Sequence, residues 1–173
     1  TKQKKKNKNR NKKNQRVKKG KSGKKIHKKV RKLGNRPNGK IKKDKIMDIE
    51  IKKMTDEIRE TAFSLHKYLK YGHLEKVYEN GLAHRLKKKG YKVEQQFPLK
   101  VHDEDGTLLG DYFADLIIND YFIIELKACK TLADEHVAQI LGYLRSANQE
   151  HGILINFGSS KLQVRKYILS QKF

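Results

Sequence analysis

Asp115 and the triplet Glu125-Leu126-Lys127 stand ten residues apart, across one short reversal of the chain. Two carboxylates and an ammonium brought together at a sheet edge can hold a divalent cation and a water beside a phosphodiester. Magnesium prefers oxygen ligands in an octahedral array, usually one or two carboxylates with waters and substrate phosphate completing the shell. A cation so held lowers the pKa of a coordinated water and offsets the charge growing on the phosphate. Lys127, two residues beyond Glu125 and so on the same strand face, can hold that water or steady the phosphate oxygens. The bland alternative is a solvated ion-pair patch, because Glu-x-Lys is a common surface arrangement.

The surrounding pattern predicts which elements carry these groups. Alternation from Tyr91 predicts a strand over 91–101, a polar turn at Asp103-Glu104-Asp105-Gly106, a return strand over 108–118, and a third strand over 121–128 after Asn119-Asp120. Pro98 marks the first of these as an edge strand or a bulged one. Upstream, Thr55-Asp56-Glu57 suits a helix amino end, and Ile58, Ala62, Leu65 and Leu69 recur on one helical face. A second helix is expected over 74–89, with Leu74, Val77, Tyr78, Leu82 and Leu86 inward and Gly90 as its stop. A third helix over 133–147 and short strands at 153–155 and 164–169 complete the order ααβββαββ, an α/β fold with a mixed sheet.

Strand parity constrains the hairpin. Tyr112, Ala114, Leu116 and Ile118 share a face with Phe122, Ile124, Leu126 and Ala128, and this apolar face should pack on a helix. Phe113, Asp115 and Ile117 would lie opposite, with Ile123, Glu125 and Lys127. A two-residue turn at Asn119-Asp120 would set Asp115 against Ile124 and send Glu125 away. A three-residue loop or a bulge is therefore required if the acids are to meet.

Charge divides the 173-residue chain near position 45. Residues 1–45 hold 23 Lys and Arg against one acid, Asp44, whereas the remaining 128 residues hold 19 basic and 18 acidic side chains. The first stretch has no aromatic residue and few apolar ones, and it reads as a disordered Lys-rich arm, either one that binds a nucleic-acid backbone without reading its sequence or a solubilising or targeting tail. A linker over 46–54 and one domain over 55–173 follow. No apolar run is long enough to span a membrane and no signal peptide is visible, which points to a cytoplasmic protein without a membrane partner. The lone Cys129 excludes a disulfide framework, and His66, His84 and His102 lack zinc-ligand spacing.

Taken together these residues resemble the PD-(D/E)XK nuclease superfamily, and within it the small bacterial GxxExxY group. Gly72-His73-Leu74-Glu75-Lys76-Val77-Tyr78 carries all three fixed positions of the naming motif. Asp115 with Glu125-Leu126-Lys127 is similar to the split acid and E-x-K elements, Gln139 and Tyr143 resemble a Q-x-x-x-Y pattern, and Asn156-Phe157-Gly158 resembles the later strand end. Ala114 stands where the strict motif has proline, a frequent departure. The resemblance spans roughly residues 55–169 and does not cover the basic arm.

The resemblance implies a restriction-endonuclease-like fold and a metal-dependent nuclease cutting phosphodiester bonds, with DNA as the expected partner. Mg²⁺ is the implied cofactor and Mn²⁺ its substitute. Asp115, Glu125 and Glu75 would be the acidic ligands and Lys127 the catalytic lysine. Gln139 and Tyr143, four apart on one helical face, would line the site. His136 sits one turn before Gln139, within reach of the site, although a lone helix histidine more often caps or packs. Tyr78 continues an apolar stripe and reads as core, and Gly72 supplies a backbone conformation at the helix start. The fold permits a homodimer, but no interface signal stands in the sequence. The competing class is a catalytically silent nuclease-fold module that binds nucleic acid or protein.

Overall fold

The computed structural model describes residues 37–169, with side chains from Lys45 onward. Up to position 36, the arm read from composition lies outside the described residues. The first helix, α1, runs Pro37–Leu69, through residues 37–45 at the end of the stretch read as a disordered arm and through all of the stretch read as linker. The expectation that it opens at Thr55 is thereby corrected. No glycine or proline stands between Gly39 and Gly72, so nothing breaks the helix upstream of Thr55. Thr55 does not cap; its Oγ1 donates to the Ile51 carbonyl at 2.7 Å, the back-bond of a helix-interior threonine. The chain divides into two compact units between Asp56 and Glu57. The candidate site lies wholly in the second.

Within that unit, α2 spans Glu75–Lys89 and α3 spans Asp134–Ser146. Five strands form one sheet in the order β1-β2-β3-β4-β5: Val93–His102, Leu108–Ile118, Phe122–Lys127, His151–Asn156 and Gln163–Ile168. Only β3 and β4 run parallel, and α3 is the crossover such a pair needs. The order ααβββαββ is the one the sequence patterns predict. Pro98 lies on the edge strand β1, where its missing N–H is tolerated. Among the described residues no helix is long and apolar enough to cross a membrane.

Local chemistry accounts for the boundaries. Gly90 closes α2 at φ 96°, and its N–H reaches the carbonyls of Leu86 and Lys87, a termination that favours glycine because a Cβ crowds the backbone there. Gly81 lets α2 approach the preceding helix: an added Cβ would sit 2.9 Å from a Leu65 methyl. Asn119 and Asp120 both take left-handed φ values, 52° and 72°, which these two residue types tolerate best among those with side chains. The ladder then pairs Ile118 with Phe122, leaving three residues in the loop, as parity required.

Two inward positions differ from the sequence reading. Leu74 is 78 % exposed and Val77 is also exposed, while Tyr78, Leu82, Ala83 and Leu86 are buried. Leu74 is the residue before the helix proper, so the buried stripe begins with Tyr78, while Glu79 is buried against Gln95 and Gln96 of β1. The second difference lies in β2. Tyr112 packs near Tyr143 of α3, and Ala114 shares a core cluster with Ile123, Tyr143 and Leu144. Tyr112 and Ala114 therefore lie on the Ile123 side, not with Ile124 as strict alternation predicts. The switch falls at Asp115, which together with Gln96 opposite it drops out of a β1–β2 ladder whose register is the same on either side of the gap.

Candidate active site

The site forms where β3 loses one of its neighbours. Phe122, Ile123 and Ile124 pair with β2 on one side and β4 on the other, but Glu125, Leu126 and Lys127 pair with β4 alone. The Leu126 N–H, freed from a β2 carbonyl, donates instead to Asp115 Oδ2 at 2.7 Å. A side-chain carboxylate thus replaces main chain in the ladder, and it draws Asp115 into the gap. The second oxygen of Asp115 accepts from Gln96 Nε2 at 3.3 Å.

Glu125 and Lys127, alternate residues of β3, form an ion pair with Nζ 2.7 Å from Oε1. Glu125 is only 2 % exposed, and its Oε2 is buried with no hydrogen-bond partner. A buried carboxylate oxygen left in that state costs stability, so the arrangement is incomplete as a purely structural one. Glu75, the first residue of α2, reaches the same place, where its Oε2 accepts from the Ala128 N–H at 3.2 Å.

Electrostatic coupling ties these groups together. Burial pushes the Glu125 carboxyl up to about 7, the Asp115 and Glu75 charges push in the same direction, and the Lys127 hydrogen bond only partly offsets them. Burial likewise raises Asp115, against the pull of the Leu126 N–H and Lys127. Glu75 is raised by burial, with Lys127 opposing. Burial works against the Lys127 charge, but its hydrogen bond to Glu125 and the fields of Glu125, Glu75 and Asp115 outweigh that, and its pKa rises. One ammonium serves three carboxylates, and the site lacks positive charge.

That deficit is what a hard cation would fill. Among the described residues no three His, Cys, Asp or Glu side chains converge as a self-sufficient metal cage, but magnesium needs only one or two carboxylates with water in the rest of its shell. The unpaired Glu125 oxygen beside Asp115 fits that donor set.

The remaining expected residues divide. Gln139 Nε2 donates to the Tyr143 hydroxyl at 2.7 Å, and the Tyr143 pKa is raised by burial and by the Glu125 charge, with Lys127 opposing. Tyr143 therefore borders the acidic cluster and Gln139 holds it. His136 Nδ1 accepts the Ala133 N–H at 3.0 Å, so this ring nitrogen caps the start of α3. Tyr78 is fully buried, stacked on Phe157 at 4.6 Å, and its hydroxyl donates to the Lys70 carbonyl at 2.8 Å. Gly72 holds φ 106° with open space around the missing Cβ, so conformation and not crowding calls for glycine there.

Sequence reasoning missed Glu79, Gln95, Gln96 and the role of Asn156. Glu79 is buried and couples to both Glu75 and Asp115. Its spacing of four from Glu75 was the available signal. Asn156 Oδ1 accepts from the N–H groups of Cys129 and Gly158, and its Nδ2 donates to the Cys129 carbonyl, pinning the exit of β3 just past Lys127. Gly158 makes that junction possible, since a Cβ would lie 2.3 Å from Ala128 backbone.

A family model described as the PD-(D/E)XK nuclease superfamily matches residues 52–167. No curated protein matches the chain. A solved structure described as "Crystal structure of SSO0001" is similar at 22 % identity and a TM-score of 0.45, covering 54 % of this chain and 48 % of that one.

Proposed function

The chain belongs to the PD-(D/E)XK nuclease superfamily, and we propose that it is a divalent-metal-dependent nuclease of the GxxExxY type that hydrolyses phosphodiester bonds in DNA. The observation that carries this reading is Glu125 Oε2, a buried carboxylate oxygen without a partner, on the side chain whose other oxygen meets Lys127 Nζ.

Asp115 and Glu125 would hold the cation, Mg²⁺ or Mn²⁺, with Glu75 facing it from α2. When bound, the ion supplies a water acidified enough to attack at neutral pH and offsets charge on the scissile phosphate. Each residue has its own task. Asp115 is held by the Leu126 N–H, so its free lone pairs point to one place. Glu125 keeps one oxygen on Lys127 and leaves the other for a ligand. Lys127, held protonated by its carboxylate neighbours, donates to the attacking water or to the phosphate oxygens that gain charge. Tyr143, fixed by Gln139, closes one wall with a hydroxyl donor. The excess of lysine and arginine over residues 1–45 supports a polyanionic substrate through counterion release.

A cleavage assay on single- and double-stranded DNA and RNA, with and without Mn²⁺, tests the reading. Metal-dependent cutting that disappears in Asp115→Ala and Lys127→Ala is expected. Metal uptake with no cutting of any of the four polymers would replace the nuclease by a silent binding module.

A further inference from the structure

We propose that Gln96, anchored by Glu79, is a positioning residue that aims the Asp115 carboxylate for a cation. This rests on the nuclease reading, since a cation at Asp115 is what the arrangement would serve.

Gln96 sits in β1 directly across from Asp115, yet it holds φ 51°. Left-handed backbone at a non-glycine residue inside a strand is strained, and it persists only where its surroundings over-determine it. Here the consequence is visible. Neighbouring side chains of a strand point to opposite faces, but Gln95 Nε2 donates to Glu79 Oε1 at 2.9 Å and Gln96 Nε2 to Glu79 Oε2 at 3.0 Å. The backbone turn at Gln96 brings both amides to one carboxylate.

Glu79 is a firm anchor. It is buried, and Lys76 Nζ meets both of its oxygens at 2.7 and 2.8 Å. Gln95 is itself tied to Asn80 Oδ1 at 2.8 Å. From this anchor the Gln96 amide extends its second N–H to Asp115 Oδ1 at 3.3 Å. Both of its acceptors are carboxylates, so the NH₂ group and not the carbonyl must face them.

A neutral donor is the right chemistry for this position. Lysine or arginine at 96 would neutralise Asp115 and compete with a metal ion, whereas an amide orients the carboxylate and leaves its charge intact. The long Gln96 contact is also the weaker of the two on Asp115 and is the one a cation can share. The strain at Gln96 serves Asp115 and contributes nothing to sheet pairing, because neither residue takes part in the ladder.

Glycine at 96 separates the two roles, since it relieves the backbone and deletes the amide. Calorimetric titration of Mn²⁺ into the full chain, beside a thermal melt, compares wild type, Gln96→Gly and Glu79→Gln. The expected result for Gln96→Gly is an unchanged or higher melting temperature with Mn²⁺ affinity about tenfold weaker, the order seen when a partner that orients a metal ligand is removed. Glu79→Gln, which keeps the shape and loosens the anchor, should weaken affinity in the same direction. Undiminished affinity in both variants beside a binding wild type overturns the positioning role alone. A wild type that takes up no Mn²⁺ overturns it together with the nuclease reading.

Discussion

The two halves of β3 are built on different rules. Phe122, Ile123 and Ile124 are fully buried and saturated by main-chain pairing on both sides. Glu125, Leu126 and Lys127 have β4 on one side and, on the other, a carboxylate standing in for a strand. The first half gains stability from apolar burial at about 25 cal/mol per Å². The second half gathers more negative than positive charge in a buried gap and leaves an oxygen unpaired, which costs stability. A six-residue strand thus passes from scaffold to site within three residues, and the transition comes where β2 turns aside at Asp115.

Substitutions can break this comparison from either end. Lys127→Ala should leave the fold intact and lower the cleavage rate by about 10²–10³, the order lost with one preorganised charge donor; a cleavage assay beside circular dichroism checks both parts. Ile124→Ala, one residue before the transition, should do the reverse. It should cost about 2–5 kcal/mol of stability by denaturant unfolding and spare the cation affinity of the folded fraction.

Proton linkage sharpens the contrast. Because the folded pKa of Glu125 is raised, from 4.5 to about 7, the folded state binds the proton more tightly than the unfolded chain. Stability of the metal-free protein is therefore greatest below about pH 4.5 as far as this group is concerned, and it falls as pH rises toward 7. The loss from this group is up to about 3 kcal/mol. Asp115 and Glu75 shift in the same direction. Chemical denaturation from pH 5 to 8 should show the decline, and Glu125→Gln should flatten it. An unchanged slope in the variant would mean that the deficit lies elsewhere.

The smallest effect expected is at the motif tyrosine. Tyr78→Phe deletes the hydroxyl that bonds the Lys70 carbonyl and accepts the His73 N–H, and it should cost about 1–2 kcal/mol of stability while kcat is unchanged. A fall in kcat without loss of stability would move Tyr78 from the core to the chemistry.

The sequence made the elements legible wherever a residue type has a narrow conformational meaning. Gly90 stops α2, Asn119-Asp120 turns the hairpin, and alternation sets the strands. Asp115, Glu125 and Lys127 were readable as a candidate cluster, since parity required a three-residue loop or a bulge if the acids were to meet, and the loop has three residues. What the sequence hid has physical causes. The reach of α1 upstream of Thr55 was hidden because a capping residue type can equally bond back to the preceding turn. The face switch at Asp115 was hidden because the left-handed backbone at Gln96 carries no compositional signal; glutamine has no preference for it. Glu79 was readable in principle from its spacing to Glu75, but its partners Gln95 and Gln96 lie on another element and only folding brings them together.

In the proposed site Glu125 and Asp115 share a divalent cation at the open half of β3. Calorimetric titration of Mn²⁺ at pH 8 into wild type and Glu125→Gln tests it most directly. Saturable binding in the wild type that vanishes in the variant is the predicted result. Equal binding by both proteins, or no heat in the wild type, would contradict it.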